Sequence, residues 1–468
     1  MCSLKPLKTL NISGFDVLPI LEGGKGVAVS NGYTSGAFAA AGAVGTLSAV
    51  NPDSYDENGE VIRQIYHGKT RSERFKELIA YAIRGGVEQA QIAHDISGGK
   101  GPIHMNVLWE AGGTEKILEG IMTKAKGLIH GVTCGAGMPY KLAEIVARHQ
   151  VYAYPIISSA RAFRALWKRA YSKYPQWLGG VVYEDPWLAG GHNGLSNSED
   201  PLVPGDPYPR VLELRKLMEE IGLKDTPIIM AGGVWYLRDW VDWIDNPELG
   251  PIVFLYGTRP LLTKESPISE EWKNRLPTLK EDEVALNQFS PTGFYSSAVN
   301  NNFLRELRER SDHQVAYTTE QMDQHTEALP IGARGRPVYL TPKGKLQAME
   351  WMAAGFVEAM KTPDSSLIFM TPERAAQIQT DQQNCMCCLS QCRFSNWADN
   401  EKGTTGKRAD PRSFCIQKTL QDIAHGGPID ENLMFSGHNG FKFASDPFYA
   451  NGFVPSVAEL VSRIESGD

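Results

Sequence analysis

Over its first 270 residues the chain alternates short apolar runs with longer amphipathic ones. The short runs are Gly26–Ser30, Ile103–Val107, Gly127–Thr133, Val151–Ile157, Gly179–Tyr183, Pro227–Met230 and Pro251–Leu255. Each is four to seven residues long, and several are rich in Val and Ile. Such runs suit strands buried on both faces, as in a parallel sheet. Between them lie helical patterns at Arg71–Arg84, Thr114–Ala125, Pro139–His149, Arg161–Tyr171, Pro209–Ile221 and Leu237–Ile244. A strand followed by a helix, repeated at this spacing, means βαβ units. Seven or eight of them favour a closed α/β barrel over an open doubly wound sheet.

The pattern changes after about residue 270. Residues 272–365 read mainly as helix and loop, with Leu346–Met360 an amphipathic helix. Residues 380–415 are loop-like and rich in cysteine, and a final helix starts at Ser456. A soft boundary falls near residue 330, at the Gly/Arg/Pro loop Ile331–Pro337. It separates a barrel domain with trailing helices (1–330) from a Cys-rich extension (331–468). The expected architecture is a (β/α)8 barrel with a mainly helical and loop C-terminal extension.

Composition narrows the function classes. The 468 residues are 42% hydrophobic, enough apolar material to exclude disorder as the dominant state. Lys and Arg number 47 against 54 Asp and Glu, and a net charge of −7 argues against a surface that coats nucleic acid. No run of about 18 apolar residues exists, so no membrane span is expected. The N-terminus lacks a signal-peptide pattern, and a cytoplasmic location is the default expectation.

In an α/β barrel, the C-terminal ends of the strands carry the active site. Glycine pairs stand at those places. Gly23-Gly24 precedes the first apolar run. Gly135-Ala136-Gly137 follows Thr133. Gly190-Gly191-His192 follows Val182 after a short connection. Gly232-Gly233 follows Met230 and Ala231, and Gly257-Thr258-Arg259 follows Tyr256. A lone glycine pair is usually a turn. Several on successive strand ends instead let backbone approach a ligand closely. The last two, Gly232-Gly233 and Gly257-Thr258, occupy the place where barrel enzymes bind phosphate. His192, flanked by glycines, has a side chain that titrates near neutrality and suits a general base. A structural role is the competing reading.

The order GG…N…GAG-P…AGGH…AGG…GTR resembles the nitronate monooxygenase family, whose relatives include FMN-dependent enoyl reductases. The resemblance covers about residues 15–270. Its most specific pieces are Ala189–His192, Ala231–Gly233 and Gly257–Arg259, and Ala39–Ser48 is similar to the family's Ala/Gly-rich segment. It implies an FMN-containing (β/α)8 barrel acting on a small molecule. By carry-over, Gly23 and Gly24 lie beside the isoalloxazine ring and Asn106 hydrogen-bonds the flavin edge. Gly190, Gly191, Gly232, Gly233, Gly257 and Thr258 wrap the ribityl phosphate, and His192 is the catalytic base. The sequence also departs from the family. A frequent Gln before the AGGH loop is replaced by Glu184 or Asp185, depending on one gap, and a Glu by Leu188. Cys134 stands where a small residue is common.

Five of the seven cysteines, Cys385, Cys387, Cys388, Cys392 and Cys415, fall within 31 residues. In a reducing compartment such a cluster signals metal or redox chemistry rather than a staple. Cys385, Cys388, Cys392 and Cys415 supply four thiolates, suited to a [4Fe–4S] cluster or a tetrahedral zinc. Cys387 competes with Cys388 as a ligand, and a metal-free thiol cluster is the plain alternative. The spacing partly resembles the CxxCxxxC…C arrangement of larger FMN barrel reductases. Basic residues Arg393, Lys402, Lys407, Arg408, Arg412 and Lys418 surround the segment and read as a solvated loop, or as a dock for an acidic redox partner or RNA. The aromatic-rich stretch Phe435–Phe453 reads as barrel packing or as a cover for a pocket.

Three functions follow as expectations. The first is oxidation of a nitronate-like or carbanion-forming small substrate by FMN, with His192 as base. The second is an FMN/iron–sulfur reductase of an unsaturated substrate, using NAD(P)H or a redox partner. The third is a non-enzymatic binding module stabilised by flavin or metal. A homo-oligomer is compatible with all three.

Overall fold

In the computed structural model, which describes residues 6–332 and 334–468, eight parallel strands close around a central core. They are β1 (Ile20–Glu22), β2 (Gly45–Ser48), β3 (Ile103–Leu108), β4 (Gly131–Gly135), β5 (Tyr152–Ile157), β6 (Val181–Glu184), β7 (Ile228–Ala231) and β8 (Ile252–Tyr256). Each neighbours the next in sequence, and β8 pairs with β1 in parallel. A parallel bridge from Leu21 to Val44 joins β1 to the residue before β2 and completes the ring. The N-terminal hairpin, Leu10–Ile12 with Phe15–Val17, packs Ile12 and Val17 among the residues inside the barrel floor. The fold is thus a TIM barrel.

Helices α1 (Gly32–Ala40), α2 (Arg71–Ser97), α3 (Thr114–Lys124), α4 (Leu142–His149), α5 (Ala160–Arg169) and α6 (Pro207–Glu220) form the outer ring. Local chemistry sets their ends. Thr70 and Glu73 form a reciprocal capping box at the start of α2, and Asn31 caps α1. Small residues bring α1 and α2 together. A Cβ on Gly32 would stand 2.5 Å from the Gln89 carbonyl oxygen, so glycine is required for that approach.

The structure corrects three sequence expectations. Gly26–Ser30 is a turn and not a strand. Its Val27 and Val29 are buried by later parts of the chain rather than by sheet neighbours. The strands there are β1 and Gly45–Ser48. Second, the segment after residue 270 is not mainly helix and loop. It holds the antiparallel strands Val284–Asn287, Ser296–Val299, Gln314–Ala316, Glu327–Ile331, Arg336–Leu340, Glu358–Lys361 and Ser366–Met370. The helix expected to run to Met360 spans Pro342–Ala353 and stops before Gly355, after which the chain turns into a strand. Third, no α-helix follows β7, where only a short 3-10 turn, Leu237–Trp240, forms.

The chain's last helix, Val457–Glu465, completes the ring instead. Val457, Leu460, Val461 and Ile464 share the main core with Ile20, Phe38 and Leu237. The Arg238 N–H donates to the Gly467 carbonyl at 2.8 Å. Residues between β8 and this helix therefore form a long insertion within the barrel rather than an appendage behind it. Residue 330 itself lies inside a β-hairpin. No helix among the described residues is long and apolar enough to cross a membrane.

Candidate active site

A large cavity opens at the C-terminal ends of the strands, with about 1690 Å³ of empty space, open solvent at its mouth included. Gly23, Gly24, Asn106, Gly190, Gly191, His192, Gly232, Gly233, Gly257 and Thr258 all line it. These ten residues come from five different strand ends, and barrel closure brings them to one place.

Two features show why the wall is glycine. A Cβ on Gly24 would lie 2.2 Å from the Asn106 Cβ, so any side chain there would displace Asn106. Gly232 and Gly233 both have positive φ, +94° and +76°, a conformation that favours glycine. On the other side, the Asn106 amide oxygen accepts a 3.0 Å hydrogen bond from the Thr133 hydroxyl, which fixes its orientation.

His192 lies on a two-residue strand, Gly191–His192, that pairs with Ser296 and Ser297 of the insertion. Its Nε2 is 2.6 Å from the Ser290 hydroxyl, and its ring stands edge-on to Phe435. Burial pulls its pKa down to about 4, so the imidazole is neutral at physiological pH.

Glu184 also lines the cavity. The register pairs Glu184 with Ala231, which makes it the strand-end residue, while Asp185 turns aside to accept the N–H groups of Trp187 and Leu188. Burial, reinforced by the charge of Asp185, pushes the Glu184 carboxyl up to about 8. It is therefore largely protonated at neutral pH. At the mouth, Lys25 pairs with buried Glu22 at 3.0 Å. Its ammonium also donates to the Gly23 carbonyl oxygen at 2.7 Å. Lys25 lines the cavity and was missed in the sequence, although it directly follows Gly23-Gly24, because a lone lysine beside a glycine pair carries no signal of its own.

The stretch Leu433–Asn439 covers one side of the cavity. The Gly437 N–H donates to the Thr258 hydroxyl at 2.9 Å, the His438 N–H to the Leu188 carbonyl at 3.1 Å and the Asn439 amide to the Gly233 carbonyl at 2.6 Å. Both sequence readings of this stretch hold, since it packs on the barrel and covers the pocket. Arg259 does not reach the cavity. It is buried against Asp446 at 3.8 Å, and its Nη1 donates to the Trp235 carbonyl at 2.9 Å. The Trp235 indole N–H also donates to Asp446, at 3.0 Å. Arg259 is a latch between the barrel and its returning tail.

Cys388 lines the same cavity, together with Leu389, Ile416, Gln417 and Leu420. Nothing in the glycine pattern signalled that the cysteine segment would reach this far. Cys385, Cys392 and Cys415 lie behind Cys388 in one apolar cluster, and all are free thiols. Burial holds Cys388, Cys392 and Cys415 above the ordinary thiol range, and neighbouring cysteine charges add to the effect. Hydrogen bonding from Cys387 and from Ser395 instead pulls Cys385 down to about 6. Among the described residues, no group of three or more His, Cys, Asp or Glu side chains is gathered to hold a metal ion. The expectation of a [4Fe–4S] cluster or, alternatively, a zinc ion on Cys385, Cys388, Cys392 and Cys415 is therefore not supported by the structure. A tetrahedral zinc needs its donors packed around one point.

Sequence and structure comparisons bear on the family. No curated protein matches the chain. The enoyl reductase domain of MlnA, from the macrolactin biosynthesis cluster of Bacillus amyloliquefaciens, superposes with a TM-score of 0.53. It shares 12% identity, covering 98% of this chain and 97% of that one. This likeness supports the fold. FabK from Thermotoga maritima aligns with a TM-score of 0.49 at 13% identity, over 95% of this chain and 91% of that one. Nitroalkane oxidase from Streptomyces ansochromogenes aligns with 0.44 at 17%, over 62% and 78%. The profile described as nitronate monooxygenase matches residues 10–379, well over half of the sequence. The chain belongs to the nitronate monooxygenase family and is a flavin-dependent oxidoreductase.

Proposed function

We propose that the cavity binds FMN and that the chain oxidises a small nitronate-like or carbanion-forming substrate, with His192 as base. The observation that carries this reading is the position of His192 on the wall shared by the glycine loops. The residues fit the cofactor. Gly23 and Gly24 bring no side chain to the cavity wall beside Asn106, which suits close approach of the isoalloxazine ring. Gly190, Gly191, Gly232, Gly233, Gly257 and Thr258 line the part of the cavity where loops after β7 and β8 meet, suited to the ribityl phosphate. When bound, FMN supplies an acceptor for an electron pair from the substrate carbon.

The protein groups do the rest. His192 meets the Ser290 hydroxyl through Nε2, and in the neutral tautomer whose Nε2–H donates to that hydroxyl, Nδ1 is the unprotonated nitrogen that takes an α-proton. Its low pKa keeps that atom basic-form throughout the neutral range. Leu433, Met434 and Phe435 add apolar lining to one side of the cavity. His192→Ala is expected to lower kcat by about 10²–10⁴ while flavin content stays unchanged. Equal turnover in the variant would remove the base role. In the wild type, kcat/KM should fall only as pH drops through about 4, where His192 gains its proton. An acid limb near an ordinary imidazole pKa would contradict this.

A second reading is supported by Glu184. A protonated carboxyl in the cavity suits proton delivery to a carbanion left by hydride addition to an unsaturated substrate. The similar MlnA domain is an enoyl reductase. Substrate-dependent consumption of NAD(P)H under anaerobic conditions favours this reading. Nitronate-dependent oxygen uptake without NAD(P)H favours the first.

A further inference from the structure

We propose that Lys25 sets the electrostatic bias of the cavity: its ammonium stabilises the negative charge that a bound isoalloxazine ring acquires on reduction, and Glu22 positions it for that task. This role rests on the flavin reading above and adds to it a residue outside the glycine pattern. Three observations carry it.

The first is the direction of the ion pair. Glu22 ends β1 and its side chain is fully buried, whereas Lys25 keeps 13% of its side chain exposed. The two meet at 3.0 Å. Lys25 lines the cavity, and Glu22 stands behind the wall rather than on it. The pair is therefore a dipole whose positive end faces the cavity.

The second is how firmly the pair is held. The Glu22 Oε2 accepts the Thr46 N–H at 3.1 Å, and its Oε1 accepts the Ser30 hydroxyl at 3.3 Å. Thr46 and Ser30 are themselves fully buried. The Lys25 N–H donates to the Ser30 hydroxyl at 3.0 Å, and the Lys25 carbonyl accepts the Ser30 N–H at 2.9 Å. The lysine is thus fixed at its backbone as well as at its tip. An ammonium has three donors. Glu22 and the Gly23 carbonyl, at 2.7 Å, take two of them, and the third is available to a group in the cavity.

The third is the charge balance of the wall. Lys25, Glu184, His192 and Cys388 are the ionisable side chains that line the cavity. Burial keeps His192 neutral at physiological pH, holds the Cys388 thiol protonated and leaves Glu184 largely protonated. Lys25 is then the lining side chain that carries charge at neutral pH. Among glycines and aliphatic side chains, the field of one cation is weakly screened.

The chemistry of the ring gives that cation a use. An isoalloxazine ring that takes two electrons and one proton, the proton at N5, keeps a negative charge on its N1–C2=O edge, and protein charge nearby tunes it as an acceptor. The electron pair comes from the substrate carbon, or from NAD(P)H in the second reading. Gly23, whose carbonyl holds the ammonium, is one of the two glycines assigned to the ring. The phosphate is assigned to the glycine loops after β6, β7 and β8, so it does not require Lys25.

The test is the two-electron midpoint potential of FMN bound to the full chain, measured by anaerobic titration against a reference dye. The FMN dissociation constant is measured alongside by fluorescence. Lys25→Met is expected to weaken the reduction equilibrium about tenfold, equivalent to a potential lower by about 30 mV. Glu22→Gln keeps the shape of the partner but removes its negative charge, and it should shift the potential the other way. The double variant Glu22→Gln with Lys25→Met leaves no buried charge unpaired. It should move in the direction of Lys25→Met, and it keeps the test open if that single variant does not fold. Lys25→Arg should restore the wild-type value. Weaker FMN binding with no change in potential overturns the proposal and makes Lys25 a binding contact only. Shifts of the same sign in Lys25→Met and Glu22→Gln also overturn it, because disturbed packing acts in that way. A wild-type chain that takes up no FMN defeats the flavin reading and this role with it. FMN bound at wild-type stoichiometry with an unchanged potential in the double variant defeats this role alone.

Discussion

Glu184 and Gly24 show how single residues set the chemistry of the cavity. The unfolded chain releases the Glu184 proton near 4.5, whereas the folded chain holds it to about 8. Between those values the folded state binds more protons, so this group's contribution to stability is lost as pH rises. Glu184→Gln keeps the shape of the protonated acid. It is expected to raise stability at pH 8 by on the order of a few kcal/mol, and little at pH 4. Chemical denaturation at the two pH values checks this; an equal shift at both would show that Glu184 is not held neutral. At Gly24, a methyl group would clash with Asn106 from 2.2 Å. Gly24→Ala is expected to weaken FMN binding by about tenfold or more, because a displaced Asn106 intrudes on the ring space. Flavin retained through gel filtration at wild-type stoichiometry would contradict that expectation.

At the level of elements, the returning tail decides whether the cavity is built. The Arg259–Asp446 pair is fully buried, and Asp446 also accepts the Trp235 indole N–H. Asp446→Ala strands a buried guanidinium and an indole donor, and a loss of about 3–5 kcal/mol is expected. Thermal denaturation measures it, and proteolysis near residues 433–453 should quicken. The last helix contributes more. Val457, Leu460, Val461 and Ile464 are all buried in the barrel core. At about 1.5–3 kcal/mol each, their loss amounts to about 6–12 kcal/mol, comparable to the whole stability of a domain. A chain ending at residue 455 is therefore expected to yield no soluble protein. Recovery of a flavin-bound truncated chain would show that this helix is dispensable to the barrel.

On the scale of the molecule, barrel and insertion share structure instead of meeting at a boundary. One apolar cluster joins Val27, Phe75 and Leu78 of the barrel region with Leu304, Ile368, Phe394 and Leu433 of the insertion. The strand that carries His192 is paired by Ser296 and Ser297 of the insertion. We expect one thermal transition, with flavin release and tryptophan fluorescence changing together. Two separated transitions would mean that residues after 330 unfold independently.

The barrel was legible from residue patterns because burial on both faces writes short continuous apolar runs, and six of the seven expected runs became strands. The glycine order and His192 were legible because close approach to a ligand tolerates few residue types. Gly26–Ser30 misled because burial is not specific to strands; its valines are covered by chain that comes hundreds of residues later. The antiparallel strands after residue 270 were missed because half-exposed short strands, such as Glu327–Ile331 and Glu358–Lys361, lack a continuous apolar run. By itself the sequence determined the βα alternation, the glycine-lined strand ends and the four thiols. Only the tertiary structure decided that the last helix closes the ring, that Leu433–Asn439 covers the cavity and that Cys388 reaches its wall. Those decisions depend on contacts between residues far apart in the chain, and periodicity along the chain carries no record of them.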